Sequence, residues 1–516
     1  MVGPSPLDIM AIQVIREDSQ YHSLALVFPY DPDVVDFCRM VKEKYGWKEF
    51  TFSDGKWRFD NTEILNDFNS RYVLDIDPAV YFGEFFGQEE TAEKDTLDEV
   101  IVEECRKEVD AIDVGQIKLR DYQKEALVSI LVSMKKKLPG NDIVVLPTAA
   151  GKSIIIAALA KLLHGNILIL QPSKELVEQN FSKLAKYVDE SDIGIFSASM
   201  NQKVVKKYTL ATIGSIFRKP ELFIGFKLVL LDECDLLNPK NLDTMYMKFF
   251  SNIGVEKVFG FTASPYRMDL SYYKNEYTNE LTAFTTIKMI NRLKGYFWKR
   301  IIFNVEIQDL INRGYLCPLE YQDCSVVNHE DLKLNKSQSD FDLDDVEVKM
   351  EKKRSIILDT IERARNECKS ILVFCTSVKQ ARDLSEEVPD SAYVSANTPD
   401  DERDRIVNDF KNQRIKIVFN VSVFSVGFDY PALDGIILLR STRSLRLFYQ
   451  MLGRGFRIAP GKDHCNIYDL SGTVSSIGRV ETIKLVQNKG LWDIQTTTKK
   501  GEKFWHNRML YFWLIK

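Results

Sequence analysis

An α/β chain, with two parallel-sheet lobes behind a small α+β domain, is what this sequence predicts on three observations. From about Leu119 onward, short apolar runs alternate with amphipathic helices. The runs fall into two sets, separated by roughly a hundred residues that are first basic and aromatic, then polar and acidic. A length of 516 residues, at about 150 per domain, makes room for roughly three domains.

Taken in order, Ile12–Ile15 and Leu24–Phe28 read as strands. Val34, Phe37, Cys38, Val41 and Tyr45 recur at helical spacing until Gly46 stops the helix, and Phe50, Phe52, Trp57 and Phe59 suggest a hairpin turning at Asp54-Gly55. Between Glu89 and Asp113 stand eleven acids against Lys94, Arg106 and Lys107, a local charge of −8 within a chain of −5. That stretch reads as a solvated linker, or a linker and a helix, and the overall acidity therefore excludes no class of partner. Beyond it the strands Ile143–Leu146, Ile167–Leu170, Leu228–Leu231 and Val258–Phe261 form the first set, and Ile371–Phe374, Ile415–Phe419 and Ile436–Leu439 the second. Buried runs bounded by helices imply parallel sheets covered on both faces.

Composition narrows the setting. The eight cysteines include no Cys-x-x-Cys pair, which argues against a zinc ribbon or a disulfide framework and for a reducing, cytoplasmic environment. No stretch approaches the ~18 apolar residues of a membrane span, and the first ten residues lack the pattern of a signal peptide.

Three motifs carry chemistry. After the strand Ile143–Leu146 comes Pro147-Thr148-Ala149-Ala150-Gly151-Lys152-Ser153 and then a helix. In that context backbone N–H groups of Thr148, Ala149, Ala150 and Gly151 face an anion, Lys152 reaches the β- and γ-phosphates, and the Ser153 hydroxyl ligates Mg²⁺. The apolar strand Leu228–Leu231 ends in Asp232-Glu233-Cys234-Asp235, where Asp232 suits a Mg²⁺ shell and Glu233 suits an attacking water. Gln450-Met451-Leu452-Gly453-Arg454-Gly455-Phe456-Arg457 places two arginines three apart, able to meet a γ-phosphate as arginine fingers. The third motif lies in the second lobe, so ATP is expected between the lobes.

In this order the motifs resemble the RecA-like motor core of superfamily 2 DNA helicases and translocases over roughly Leu119 to Gly472. The resemblance implies further roles. Leu119-Arg120-Asp121-Tyr122-Gln123 looks like the adenine-reading segment, with Gln123 on the base edge and Arg120 packed nearby. Pro172-Ser173 resembles motif Ia, Thr212 and Ser215 lie in a loop that contacts a strand's phosphates, and Thr262-Ala263-Ser264-Pro265 resembles the coupling motif III. Thr376 falls in motif IV, and Gly427 and Asp429 in motif V, with Asp429 on the ribose. Gln450 belongs to the catalytic set with Lys152, Asp232, Glu233, Arg454 and Arg457.

The run Ser444 to Gly461 is most similar to RadD-like members, and phage UvsW-type enzymes share the overall plan. Asp235 stands where His is usual, Ala149 where Gly is commoner, a change that suits φ < 0, and no cysteine-rich zinc module of the RadD kind follows the core. A DEAD-box RNA helicase is disfavoured by Gln450 and by Thr262-Ala263-Ser264.

More weakly, the N-terminal residues Trp47, Lys48, Lys56, Trp57 and Arg58 resemble a HARP-like DNA-binding domain, in which Lys56 and Arg58 pair phosphates and the tryptophans either stack on bases or fill the core. The segment after Tyr266, with Lys299, Arg300, Phe297 and Trp298, and the tail from Lys484 mix charge and aromatics in a way that suits either strand contact or packing. The expected partition is 1–87 (HARP-like), 88–115 (acidic linker), 116–270 (first lobe), 271–344 (insertion and connector), 345–480 (second lobe) and 481–516 (tail). The expected activity is ATP-dependent, Mg²⁺-requiring remodelling or annealing of branched DNA in replication, recombination or repair. The alternatives are the motor subunit of a restriction or defence nuclease, whose Glu-x-Lys pattern Glu347-Val348-Lys349 and Glu351-Lys352-Lys353 match but which a plain helix surface explains better, and an ATP-gated DNA clamp.

Overall fold

The computed structural model describes residues 12–16, 24–28, 32–46, 50–53, 56–59, 64, 67–68, 74–76, 92–112, 118–238, 244–274, 281–293, 297–423, 430–488, 491–497 and 503–505. The chain divides into two compact units, residues 1–104 with 485–493 and residues 105–484 with 494–516.

In the first unit β1 (Ile12–Arg16), β2 (Leu24–Val27), β3 (Phe50–Ser53), β4 (Lys56–Phe59) and β5 (Leu74–Ile76) form a sheet of order β3-β4-β2-β1-β5. Helix α1 (Pro32–Tyr45) buries Val34, Phe37, Cys38 and Val41 and stops at Gly46, whose φ of 90° a side chain would resist. Alternation along β4 buries Trp57 and Phe59, while Lys56 and Arg58 stay half-exposed. Trp57 lies stacked on Phe50 at 4.9 Å, so this tryptophan fills the core. The Arg58 guanidinium donates to the Ser53 carbonyl and to Ser53 Oγ at 2.5 Å, closing the hairpin on itself. Trp47 and Lys48 lie outside the described residues.

The acidic stretch is largely helix, α2 (Ala92–Asp110), whose later part buries Cys105 and Val109. There Arg106, Glu108 and Asp110 pair with Glu125 (3.1 Å), Lys135 (2.8 Å) and Lys124 (2.5 Å) on α3 (Asp121–Lys135). Exposed pairs of this kind contribute at most about 1 kcal/mol each.

The first lobe of the second unit contains β6 (Asn141–Val145), α4 (Lys152–Leu162), β7 (Ile167–Gln171), α5 (Lys174–Leu184), β8 (Ile193–Ser197), β9 (Gln202–Lys203), β10 (Tyr208–Thr212), α6 (Ile213–Ile216), β11 (Leu228–Asp232), α7 (Met245–Ile253), β12 (Lys257–Thr262), the hairpin β13 (Tyr266–Lys274) and β14 (Leu281–Met289), β15 (Trp298–Asn304) and α8 (Ile307–Asn312). The main sheet runs β15-β6-β12-β11-β7-β10-β8-β9, parallel except for β9. Its C-terminal edge gathers the ends of β6, β7, β10, β11 and β12, where ligands of open α/β sheets bind.

Strand β15 uses part of the basic, aromatic segment for packing. Trp298 is fully buried, and a Cβ added to Gly260 would lie 2.4 Å from its ring. Arg300 and Lys257 both pair with the buried Asp142, at 2.7 Å each.

The second lobe holds β16 (Leu319–Asp323), α9 (Leu343–Glu351), α10 (Arg354–Glu367), β17 (Ile371–Phe374), α11 (Val378–Glu387), β18 (Ser391–Val394), α12 (Asp400–Lys411), β19 (Ile417–Asn420), β20 (Gly435–Leu438), α13 (Leu445–Leu452), β21 (Cys465–Asp469) and α14 (Thr473–Ile477). Its sheet is wholly parallel, in the order β16-β21-β20-β17-β19-β18. The tail contains strands Lys484–Asn488, Leu491–Thr497 and Lys503–Trp505. Among the described residues no helix is long and apolar enough to cross a membrane.

His329 lies buried in this lobe, its Nε2 3.0 Å from the Ser471 carbonyl and its ring edge-on to Phe341 at 4.5 Å. Burial pushes its pKa down to about 4, against the opposing pull of the Ser471 bond. An unfolded imidazole titrates near 6.5 and takes up protons the folded one refuses. This contribution is therefore complete above pH ~6.5 and falls away as the pH drops through about 4, a loss of about 3 kcal/mol. A His329→Gln chain is expected to show a shallower fall in urea midpoint between pH 7 and 4.5; an unchanged slope would refute the assignment.

Candidate functional site

The phosphate loop leaves β6 and turns into α4 through two left-handed residues, Ala149 (φ 68°) and Gly151 (φ 83°). Ala149, a tolerable replacement for Gly if it kept φ < 0, is left-handed instead, at a cost for a side chain of roughly 1–2 kcal/mol, and the Ala150 N–H donates to the Pro147 carbonyl at 3.1 Å. The loop is braced from α3. Tyr122 Oη and Gln123 Nε2 both donate to the Ala150 carbonyl, at 2.8 and 3.1 Å, and Gln123 Oε1 accepts from the Arg120 N–H at 2.9 Å. Gln123, read from the sequence as facing the base edge, has both ends of its amide engaged within the protein. Arg120 donates to the Tyr315 carbonyl at 3.2 Å and lies 4.7 Å above the Tyr315 ring. Tyr315 escaped sequence reading because its partner lies 195 residues away.

Strand β11 delivers the acids beside the loop. Lys152 Nζ stands 3.0 Å from Glu233 Oε1, and Glu233 itself is left-handed at φ 48°, a strained backbone of the kind that clusters at functional sites. Burial alone would pull the Lys152 pKa down, but Glu233 and Asp232 outweigh it and hold it up. The reverse balance, burial against Lys152, keeps Glu233 below the usual range. Asp232 is buried, and that burial pushes its pKa up to about 7, with Lys152 opposing. A buried carboxylate at the end of β11 and a serine hydroxyl at the start of α4 are hard oxygen donors of the kind that fits Mg²⁺, so Ser153 and Asp232 would hold that ion. Ser153 Oγ meanwhile accepts from Lys183 Nζ at 2.5 Å.

Asp235 makes the contacts that a His at this position would have to make differently. Its side chain is wholly buried; Thr262 Oγ1 donates to Oδ1 at 2.7 Å, and Arg446 Nε forms an ion pair with Oδ2. That ion pair lacks hydrogen-bond alignment and acts through charge. Asp235 thus contacts motif III and Arg446, four residues before the half-buried Gln450 on α13. The sequence signal for Arg446 is that i, i+4 spacing.

The arginine-bearing turn following α13 meets the phosphate loop. A Cβ on Gly453 would lie 2.9 Å from Thr148 Cβ, so this approach of the two lobes requires glycine. Arg454 is buried and, with Arg446, helps hold Glu233 ionised; Arg457 is half-buried. Lys152, Asp232, Glu233, Arg446 and Arg454 are thereby brought into one electrostatic cluster.

The residues read as strand contacts are mostly engaged locally. Ser173 Oγ caps α5 at Leu176 N (3.5 Å), next to the half-buried Pro172. Thr212 Oγ1 and Ser215 Oγ hydrogen bond at 2.8 Å, and buried Thr376 donates to the Leu439 carbonyl at 3.0 Å. Lys174 spans the lobes to Asp400 at 2.6 Å. Gly427 and Asp429 lie outside the described residues. Lys349 of the Glu-x-Lys string pairs with Asp345 at 2.6 Å along α9, an ordinary helix-surface contact.

Two parallel-sheet lobes that share a phosphate loop, an acidic strand end and facing arginines make an ATP-dependent motor. Residues 116–267 match the family described as "Type III restriction enzyme, res subunit", and residues 352–459 the "Helicase conserved C-terminal domain". The chain belongs to the superfamily 2 helicases and translocases and carries their ATP-hydrolysing core. It is 27% identical over 392 residues to "Putative ATP-dependent helicase IRC3" of Saccharomyces cerevisiae, covering 71% of this chain and 53% of that protein. It is also 27% identical to "DNA 3'-5' translocase XPB2" of Sulfurisphaera tokodaii, covering 66% of this chain and 79% of that one. The chain thus spans about half the length of the first relative. Among solved structures, "The fragment structure of a putative HsdR subunit of a type I restriction enzyme from Vibrio vulnificus YJ016" shares the fold, with a TM-score of 0.52, 16% identity and coverage of 96% of this chain and 93% of that one.

Proposed function

We propose that the chain is an ATP- and Mg²⁺-dependent DNA helicase or translocase, acting inside the cell on branched or partly single-stranded DNA in replication, recombination or repair. The observation that carries this reading is the Lys152–Glu233 pair with Arg446 and Arg454 acting on it, beside a Gly453 so near Thr148 that an added Cβ would lie 2.9 Å from the Thr148 side chain. ATP bound at the loop places its phosphates at Lys152, Glu233 orients the attacking water, and Arg454 and Arg457 stabilise transition-state charge with Gln450 beside them. Ser153 and Asp232 would hold Mg²⁺, which when bound would supply positive charge to the phosphate oxygens. Strand contacts at Ser173, Thr212, Ser215 and Thr376 would exchange bonds now made within the protein, beside Pro172. Lys56 and Arg58 would add phosphate contacts in a HARP-like domain spanning 1–87, and the remaining boundaries are those expected from the sequence. DNA as the partner is supported by the name of the Sulfurisphaera relative.

A second reading, the motor subunit of a restriction or defence nuclease, is favoured by the match of 116–267 to the res subunit family. The discriminating measurement is ATPase stimulation and strand displacement on forked, Holliday-junction, flapped and plain duplex DNA, with a matched RNA. DNA is expected to stimulate, branched forms most, and salt to weaken binding. Stimulation by RNA alone, or equal turnover without nucleic acid, would defeat the reading; translocation on duplex without displacement would favour the restriction motor or the clamp.

A further inference from the structure

The sequence Ala459-Pro460-Gly461-Lys462 folds into a tight turn: Lys462 N–H donates to the Ala459 carbonyl at 3.2 Å, and Gly461 takes φ 71°. Proline followed by a left-handed glycine is the signature of a type II turn. The turn sends the Lys462 side chain back beneath the arginine-bearing loop. There its ammonium donates to the carbonyls of Arg457 at 2.8 Å, Gly455 at 2.9 Å and Pro431 at 3.2 Å. An ammonium has three donors, and these three carbonyls occupy all of them. Two belong to the loop that carries Arg454 and Arg457; the third follows closely on the segment assigned to the ribose.

We propose that Lys462 is a positioning residue for ATP hydrolysis, fixing the backbone from which Arg457 projects and tying it to the chain at Pro431. A methionine or glutamine there could not satisfy three carbonyls at once. The loop would then sample other conformations, and a displacement of about 1 Å in a catalytic group can cost about 10²-fold in rate. Burial draws the lysine's pKa down, yet the ring of carbonyls favours its charged form. The inference rests on the reading of Arg457 as a transition-state group, so both residues must be tested together.

The experiment uses the full chain and four variants: Lys462→Met, Lys462→Arg, Arg457→Lys and the double Lys462→Met/Arg457→Lys. DNA-stimulated kcat and KM for ATP, ADP binding and thermal midpoint are measured for each. Lys462→Met is expected to lower kcat about tenfold or more with KM and ADP affinity within about twofold. Lys462→Arg should recover part of the loss, and the double variant should be little worse than the poorer single one, because both changes disable the same arginine. If the Met variant melts below the assay temperature, Lys462→Gln replaces it. Losses that multiply, or an unchanged kcat for Lys462→Met beside a slow Arg457→Lys, would overturn the proposal while sparing the arginine. An unchanged kcat for Arg457→Lys would overturn the reading of the arginine and the proposal with it.

Discussion

A Glu233→Gln chain is expected to bind ATP and to hydrolyse it about 10²–10⁴-fold more slowly, the usual contribution of a positioned acid–base group. The amide keeps the volume of the side chain but cannot accept the water's proton, and it gives up the charge that holds Lys152 at 3.0 Å. Lys152→Ala should fail differently. It removes the cation that keeps Glu233 below its usual range and that opposes the upward push on Asp232. Three acids, Asp232, Glu233 and Asp235, would then share a buried cleft with Arg446 and Arg454 as the remaining nearby cations, so nucleotide affinity is expected to fall along with turnover. Fluorescent-nucleotide titration beside single-turnover hydrolysis separates the two routes. Near-wild-type hydrolysis in either variant, or loss of ATP binding in Glu233→Gln, would show the role to be wrongly assigned.

What could be seen in the sequence was what local rules encode. The strand–loop–helix around Lys152 and the acidic end of β11 are written in consecutive residues, so period and motif put Lys152 and Ser153 at the start of α4 and Asp232 and Glu233 at the end of β11, where the fold has them. Pairs formed across the fold were not visible. Trp298 lies in a basic, aromatic stretch, and only its packing on Gly260, 38 residues earlier and in a neighbouring part of the sheet, shows it to be core. The left-handed backbone of Ala149 follows from closing the loop onto Gln123 and Tyr122, a tertiary demand that outweighs the residue's own preference. Asp235 announced itself as a departure from the family pattern, but its partners come from β12 and α13, which no spacing rule joins.

That pair carries the second large effect. Arg446→Met is expected to destabilise the chain by about 3–5 kcal/mol, the cost of leaving one partner of a buried ion pair uncompensated. Asp235 has no exposed side-chain surface and would keep its bond from Thr262 and the more distant pull of Lys152, with Asp232 and Glu233 of like charge close by. Its pKa is already pushed up by burial and by Glu233, so the variant is expected to take up a proton there and to recover stability as the pH is lowered toward 5. The opposite truncation should be milder: Asp235→Asn keeps a polar partner for Thr262, and Arg446, 30% exposed, can turn its charge to water. The double variant should lie near Asp235→Asn alone, giving a coupling energy of the same sign as the ion pair. Urea midpoints of the four chains at pH 7.5 and 5.5 provide the cycle, and ATPase assays on the same chains report whether α13 still presents Arg454 and Arg457 to the phosphate loop. If the two single losses are equal and simply add, Asp235 and Arg446 are not coupled, and the link between the acidic strand and the second lobe must run through other residues.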